Sequence, residues 1–366
     1  MAFDFKNNYS SWLHTKVDKQ NTLLFYVLYP LSLLYLYVIS FKNFAFKLRL
    51  FRPKSLNGFV ISVGNISIGG AGKTPFTLFL LEELLKHAAR PVVLTRGYGA
   101  GLNANDFLIL VNGSIFKSNI SSESMNLDEP TLISRNFPTV PVVVAAKRFI
   151  AADHFLKLYK NYNPTHWILE DGFQHRKIAR NFDIVLIDGL RDLKHEVCLP
   201  AGLLREPLNN LSRTDVIVFI KTINENQKDT LRKEYVKYSQ NILFADFRFS
   251  VLLEVKKGKL VPIDTIPKSA MLLSAIAQPN HFAYMVRDSL RDIDIIEEVY
   301  EPDHSLFSFK NHGAVLSKGI TVITTEKDYW RQPEFFSELV EQAQIRVLIF
   351  KIKVELDGLD SKNIGC

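Results

Sequence analysis

The chain has 366 residues, 47% of them hydrophobic and 23% charged, with a formal net charge of +7. That balance excludes a disordered chain, leaves room for two or three domains, and suits an anionic partner without demanding nucleic acid. Cys198 and Cys366 are the only cysteines, too few for a disulfide framework, and no zinc-ligand spacing occurs, which fits reduced thiols in a cytosolic compartment.

Residues 20–41 contain no charged side chain. The stretch is long enough to cross a bilayer as a helix, for which ~20 residues suffice. Tyr26, Tyr29, Tyr35 and Tyr37 prefer the headgroup zone, and Pro30 would kink a helix midway. Lys42, Lys47, Arg49, Arg52 and Lys54 follow with no acid among them. Such a cluster binds anionic headgroups and marks the cytoplasmic side. The late start of the apolar run, and the lack of a small-residue cleavage site after it, argue against a signal peptide. We expect residues 1–54 to form a membrane-associated helix with a basic flank, with a buried core helix as the alternative.

An apolar, β-branched run from Phe59 leads into Ser67-Ile68-Gly69-Gly70-Ala71-Gly72-Lys73-Thr74 and then into a stretch of helical periodicity ending near Lys86. This is the strand–loop–helix setting of a phosphate-binding P-loop, with Ser67 in place of the usual first glycine. The glycines let backbone N–H groups turn toward phosphate oxygens, and the helix N-terminus adds partial positive charge. Lys73 would reach the β- and γ-phosphates, and the Thr74 hydroxyl would ligate Mg²⁺. The chain is thus expected to bind a nucleoside triphosphate.

Further apolar runs at residues 91–95, 140–145, 166–169, 182–187 and 215–220 alternate with amphipathic stretches at 77–86 and 147–160. That rhythm predicts βαβ repetition: a doubly wound, mostly parallel α/β sheet over residues 55–222. Residues 108–116 interrupt it as a hairpin, with Asn112-Gly113 supplying a type I′ turn. After a polar stretch at 224–237, strand candidates resume at 242–247, 270–274, 320–324 and 346–352. We expect a second, smaller α/β domain over 223–366.

Chemistry-bearing residues fall at strand ends. Glu170 and Asp171 close an apolar strand downstream of the P-loop, where a second Mg²⁺-organising carboxylate belongs. Asp171 is preferred, with Glu170 supporting; the alternative is an acid capping the next turn. Asp128 opens a predicted helix reaching Asn136, and reads either as a helix cap or as a base taking a proton from an attacking hydroxyl. Arg96-Gly97-Tyr98-Gly99 follows a strand, where a ligand-facing loop or a plain glycine turn would lie. The roles of Arg96, Arg148 and Arg205 stay open between phosphate, lipid headgroup and structure.

Taken as an ordered set, these residues resemble the tetraacyldisaccharide 4′-kinases, the membrane-associated kinases of lipid A synthesis. The set comprises Val63-Gly64-Asn65 with residues 69–75, Thr95-Arg96-Gly97-Tyr98-Gly99, Asp128-Glu129-Pro130 and Asp171-Gly172-Phe173-Gln174-His175. It continues with residues 199–208, Pro302-Asp303-His304 and Thr325-Glu326-Lys327-Asp328, and covers almost the whole chain. The resemblance implies ATP- and Mg²⁺-dependent transfer of the γ-phosphoryl group to the 4′-hydroxyl of a tetraacylated glucosamine disaccharide 1-phosphate, forming lipid IVA. The lipid precursor and the membrane surface would be the partners, at the cytoplasmic face of the bacterial inner membrane, with no nucleic acid and no obligate protein partner. By the same resemblance Asp128 is the catalytic base and His304 orients it. Glu170 stands where an Asp is usual in the family, and Ser305 where a second His is common. The main competing reading is a membrane-recruited P-loop ATPase switch; that class carries a lysine before its two glycines, where this chain has Ile68. A soluble P-loop kinase for a small metabolite gives no reason for the uncharged N-terminal stretch.

Overall fold

The computed structural model describes residues 22–97, 101–103, 105–120, 127–309, 311–312 and 320–357. Gln20 and Asn21 of the expected N-terminal helix, Tyr98 and Gly99 of the Arg96 loop, and Cys366 lie outside them.

Helix α1 (Thr22–Lys47) contains Pro30 without being broken by it. The helix is apolar yet turned outward. Tyr26, Leu34, Tyr37 and Phe41 are exposed, and 6% of its apolar window is buried, so it is not a core helix. It is held at a few points: Ser32 Oγ accepts from the Ala201 amide at 2.7 Å, the Tyr35 hydroxyl donates to Arg205 O at 2.9 Å, and Asn43 Nδ2 donates to Glu206 at 3.0 Å.

The first sheet strands form because apolar β-branched runs are covered on both faces, as a parallel sheet between helices requires. Strand β1 (Phe59–Asn65) leads to α2 (Lys73–Lys86) and β2 (Pro91–Thr95). The hairpin of β3 (Phe107–Val111) and β4 (Ser114–Ser118) comes next. Its turn residues Asn112 and Gly113 have φ of 51° and 70°, the type I′ geometry that Asn-Gly favours. Helix α3 (Asp128–Asn136), β5 (Val142–Ala145), α4 (Arg148–Leu158), β6 (His166–Glu170), β7 (Phe182–Asp188) and β8 (Val216–Ile220) complete this half. β1 lies between β6 and β7, all parallel, so the loop after β1 emerges at the middle of the sheet.

The polar stretch after β8 is a helix, α5 (Glu225–Tyr235). Asn224 caps it by accepting from the Gln227 amide at 3.0 Å, and one side buries Tyr235 and the Lys228 stem. Strand β9 (Ile242–Lys256) then runs far beyond the expected 242–247. Its start pairs in parallel with β8, and its length pairs antiparallel with β14 (Val347–Leu356). Between them in sequence lie β10 (Lys259–Pro262), β11 (Ser269–Ser274), α6 (Pro279–Ser289), β12 (Asp294–Tyr300), β13 (Thr321–Thr325), α7 (Glu326–Arg331) and α8 (Pro333–Glu341). The sheet therefore continues from one half of the chain into the other, in the order β12-β11-β13-β14-β9-β8-β7-β1-β6-β2-β5-β3-β4. One apolar cluster holds Ile61, Phe76 and Val218 and reaches across to Ala245 and Val354, while another gathers Phe307, Tyr329 and Phe336. Phe247 packs against clusters on both sides.

Phe155 is fully buried against Tyr159 and Trp167. Phe155→Ala is expected to lower the unfolding free energy by ~3–5 kcal/mol in a urea titration. Tyr26→Ser, on the outward face of α1, should change it by ~0.5 kcal/mol or less. Equal losses would mean that α1 belongs to the core.

Candidate active site

The loop between β1 and α2 is fixed at its flanks and curled by its glycines. Ile68 N donates to Leu203 O and Arg205 N to Ile66 O, at 2.9 and 2.8 Å. Gly72, the residue before α2, has φ of 64°. A Cβ there would stand 2.2 Å from the Phe247 ring, so both backbone and space demand glycine. Two cations brace the loop from its carbonyl side: Arg191 Nη1 donates to Ile68 O at 2.9 Å and Lys221 Nζ to Gly70 O at 3.4 Å. Neither Arg191 nor Lys221 stood out in the sequence. Each follows the end of a central strand, β7 or β8, where a doubly wound sheet gathers its ligand-facing loops.

Strand β6 runs beside β1 and delivers Glu170 and Asp171 to the same end of the sheet. Lys73 Nζ lies 3.5 Å from Asp171 Oδ1. Arg205 Nη1 donates to both Asp171 oxygens, at 2.9 and 3.1 Å, and Arg148 Nη1 to its carbonyl at 3.2 Å. Burial would raise the Asp171 carboxyl, but the charges of Lys73, Arg205 and Arg148 outweigh it and hold it well below the usual carboxylate range. Arg205 and Arg148 thus serve Asp171, a part the sequence left open for them. Glu170 is different. Its Oε2 accepts from Thr95 Oγ1 at 2.7 Å, while its buried Oε1 has no hydrogen-bond partner. Burial, with the nearby Glu129 and Asp171 charges, pushes its carboxyl up. Among the described residues, no group of three His, Cys, Asp or Glu side chains is placed to hold a metal ion by itself.

Asp128, at the start of α3, meets His304 across 176 residues of sequence: His304 Nδ1 is 2.9 Å from Asp128 Oδ2. Lys327 Nζ lies 3.9 Å from the same oxygen and 3.2 Å from Glu129 Oε1. Arg331 donates to that oxygen through Nε and Nη2, both at 3.2 Å. Burial would raise the Asp128 carboxyl; the His304 hydrogen bond and the Lys327 and Arg331 charges prevail and keep it well below its ordinary value. Arg331 was not singled out from the sequence. It follows Asp328 by three residues, but that spacing means something only once α7 is known to be a helix.

All of these groups except Asp128 and Arg331 face one cleft of roughly 2110 Å³, lined by Ile68–Thr74, Glu170, Asp171, Arg205, His304 and Lys327. Leu28, Leu31 and Phe46 of α1 line it as well. The volume exceeds the ~300–1,000 Å³ of a site for one small ligand. A glycine-rich loop, the imidazole of the Asp128–His304 pair and an apolar helix thus share one opening, where a hydroxyl can be held against a nucleotide's terminal phosphate.

The family model for tetraacyldisaccharide-1-P 4′-kinase matches residues 24–364. The tetraacyldisaccharide 4′-kinase of Chlorobium limicola is 30% identical over 83% of this chain and 86% of its own. That of Francisella tularensis subsp. holarctica is 31% identical over 87% of this chain and 91% of its own. The crystal structure of LpxK from Aquifex aeolicus in complex with ATP superposes with a TM-score of 0.70 at 28% identity, covering 93% of this chain and 98% of that one. The chain belongs to the tetraacyldisaccharide-1-P 4′-kinase family.

Proposed function

We propose that this chain transfers the γ-phosphoryl group of ATP to the 4′-hydroxyl of a tetraacylated glucosamine disaccharide 1-phosphate, forming lipid IVA at the cytoplasmic face of the bacterial inner membrane. The observation that carries the reading is the Asp128–His304 contact at 2.9 Å, with His304 opening on the cleft that Lys73 and the P-loop line. A nucleotide switch has no use for such a pair. The 4′-oxygen attacks the γ-phosphorus, the bond to the β-phosphate oxygen breaks, and the hydroxyl proton passes through the His304 imidazole, which opens on the cleft, to the Asp128 carboxylate behind it. A carboxylate held so far below its ordinary value is a weak base. In a loose phosphoryl-transfer transition state the hydroxyl keeps its proton until late, so a fixed acceptor matters more than a strong one. His304 fixes the rotamer, while Lys73 and the loop N–H groups meet the phosphates.

Thr74 and Glu170 would hold Mg²⁺, with Asp171 behind them. The unpartnered Oε1 of Glu170 suits an incoming cation better than the Asp171 oxygens, which Arg205 already occupies. Two protein ligands suffice for an ion that takes its other oxygens from water and phosphate. When bound, Mg²⁺ neutralises charge on the β- and γ-oxygens. The outward apolar face of α1 and the basic residues after it support anchoring at the membrane surface, where a substrate with several acyl chains resides. The smaller second domain over 223–366 would contribute His304 and Lys327, so that closure between the two excludes water from ATP.

The direct test is incubation with γ-labelled ATP and the disaccharide 1-phosphate in mixed micelles; label that stays out of the lipid sinks the proposal. Asp128→Asn should lower kcat by ~10²- to 10⁴-fold with little change in ATP affinity. His304→Ala should lower it too, and the double variant should lose far less than the product of the single losses; multiplicative losses would separate the two residues. Glu170→Gln should raise the Mg²⁺ concentration for half-maximal rate by ~10-fold or more, and an unchanged Mg²⁺ titration would assign the ion elsewhere. Deleting residues 1–41 should move the protein out of the membrane fraction and raise KM for micellar lipid. A truncated protein that still binds vesicles and works normally would show that α1 is not the anchor.

A further inference from the structure

We infer that Arg331 is a positioning residue for the reaction: it holds the Asp128 carboxylate in its working orientation from the opposite half of the chain. The inference rests on the reading of Asp128 as the proton acceptor. The Arg331 side chain is 2% exposed and is not among the cleft-lining residues, so it acts through Asp128.

Its guanidinium is divided between two tasks. Nη1 is tied to its own half, donating to Asp328 Oδ1 and Ala275 O, both at 2.9 Å. Asp328 is itself anchored, accepting from Thr325 Oγ1 at 2.7 Å and from the Ala275 amide at 3.2 Å. The remaining edge, Nε and Nη2, points at a single atom of the other half, Asp128 Oδ2. The same Ala275 carbonyl also accepts from the His304 amide at 3.2 Å. Both partners of the carboxylate, imidazole and guanidinium, therefore hang from one backbone group at the end of β11. The other Asp128 oxygen accepts from the Glu129 amide at 3.1 Å, so the carboxylate plane is pinned at both ends. A planar fork with two N–H groups on one oxygen fixes direction as well as charge, which a lysine ammonium does not. A displacement of ~1 Å at a reacting group can cost ~10²-fold in rate, and Arg331, beside His304 and the Glu129 amide, is a contact that opposes it.

The test is a cycle of four proteins: wild type, Arg331→Met, Asp128→Asn and the double variant, each assayed with ATP and micellar lipid acceptor. Arg331→Met is expected to lower kcat by ~10²-fold, leaving KM for ATP and for lipid within ~3-fold. In the Asp128→Asn background the same change should lower kcat by less than ~3-fold, because the group it orients no longer accepts a proton. Since Arg331→Met leaves the buried Asp328 carboxylate without its cation, the cycle is repeated with Arg331→Met/Asp328→Asn, folding being followed by thermal melting. An equal loss in both backgrounds, or a rise in KM with kcat intact, overturns the inference while Asp128 stands. Wild-type kcat in Asp128→Asn overturns the proton-acceptor reading itself, and the inference with it.

Discussion

Asp128 is an ionised carboxylate whose side chain is 2% exposed, and such a group is tolerated only where cations and hydrogen bonds replace its water. Among the described residues, the side chains that meet it, His304, Lys327 and Arg331, come from beyond β9. The two halves therefore meet at a buried charge, the carboxylate from one and Lys327 and Arg331 from the other. The continuous sheet through β9 and β14 is the framework that makes this meeting reproducible. Breaking one partner of such a pair is more damaging than never having built it, which ties the integrity of the fold to that of the site.

The same arrangement sorts the acids of the cleft by environment. Asp171 is surrounded by Lys73, Arg205 and Arg148 and stays ionised. Glu170, one residue earlier, has a threonine hydroxyl on one oxygen and nothing on the other. Neighbouring carboxylates with opposite surroundings are pushed in opposite directions, one toward the ionised form and one toward the protonated form. The backbone turns between their contacts, Asp171 having φ of 49°.

Much of this was legible in the chain. The P-loop, the central strands and the Asn112-Gly113 hairpin all rest on local signals: glycine spacing, continuous β-branched runs and turn chemistry. What escaped detection depends on distance. β9 outruns its apolar run because its second part is only half-buried, mixing Arg248, Ser250 and Glu254 with Leu252 and Val255. β12 shows a weak alternation with acids on its open face. α5 has few apolar residues and owes its helix to a cap and to Tyr235. A sequence gives no sign that Arg205, 34 residues on, will reach the oxygens of Asp171. Nor does it tell that Arg331 will reach back over 203 residues.

Arg205 and Glu206 are consecutive, and they look in opposite directions. The first grips Asp171 beside the P-loop; the second, with Arg213 on it at 2.9 Å, receives Asn43 from α1. One Cα-to-Cα step, about 3.8 Å, separates the grip on the nucleotide-side carboxylate from the grip on the apolar helix. The contact that holds α1 and the contact that holds Asp171 therefore share one short piece of backbone, with no loop between them.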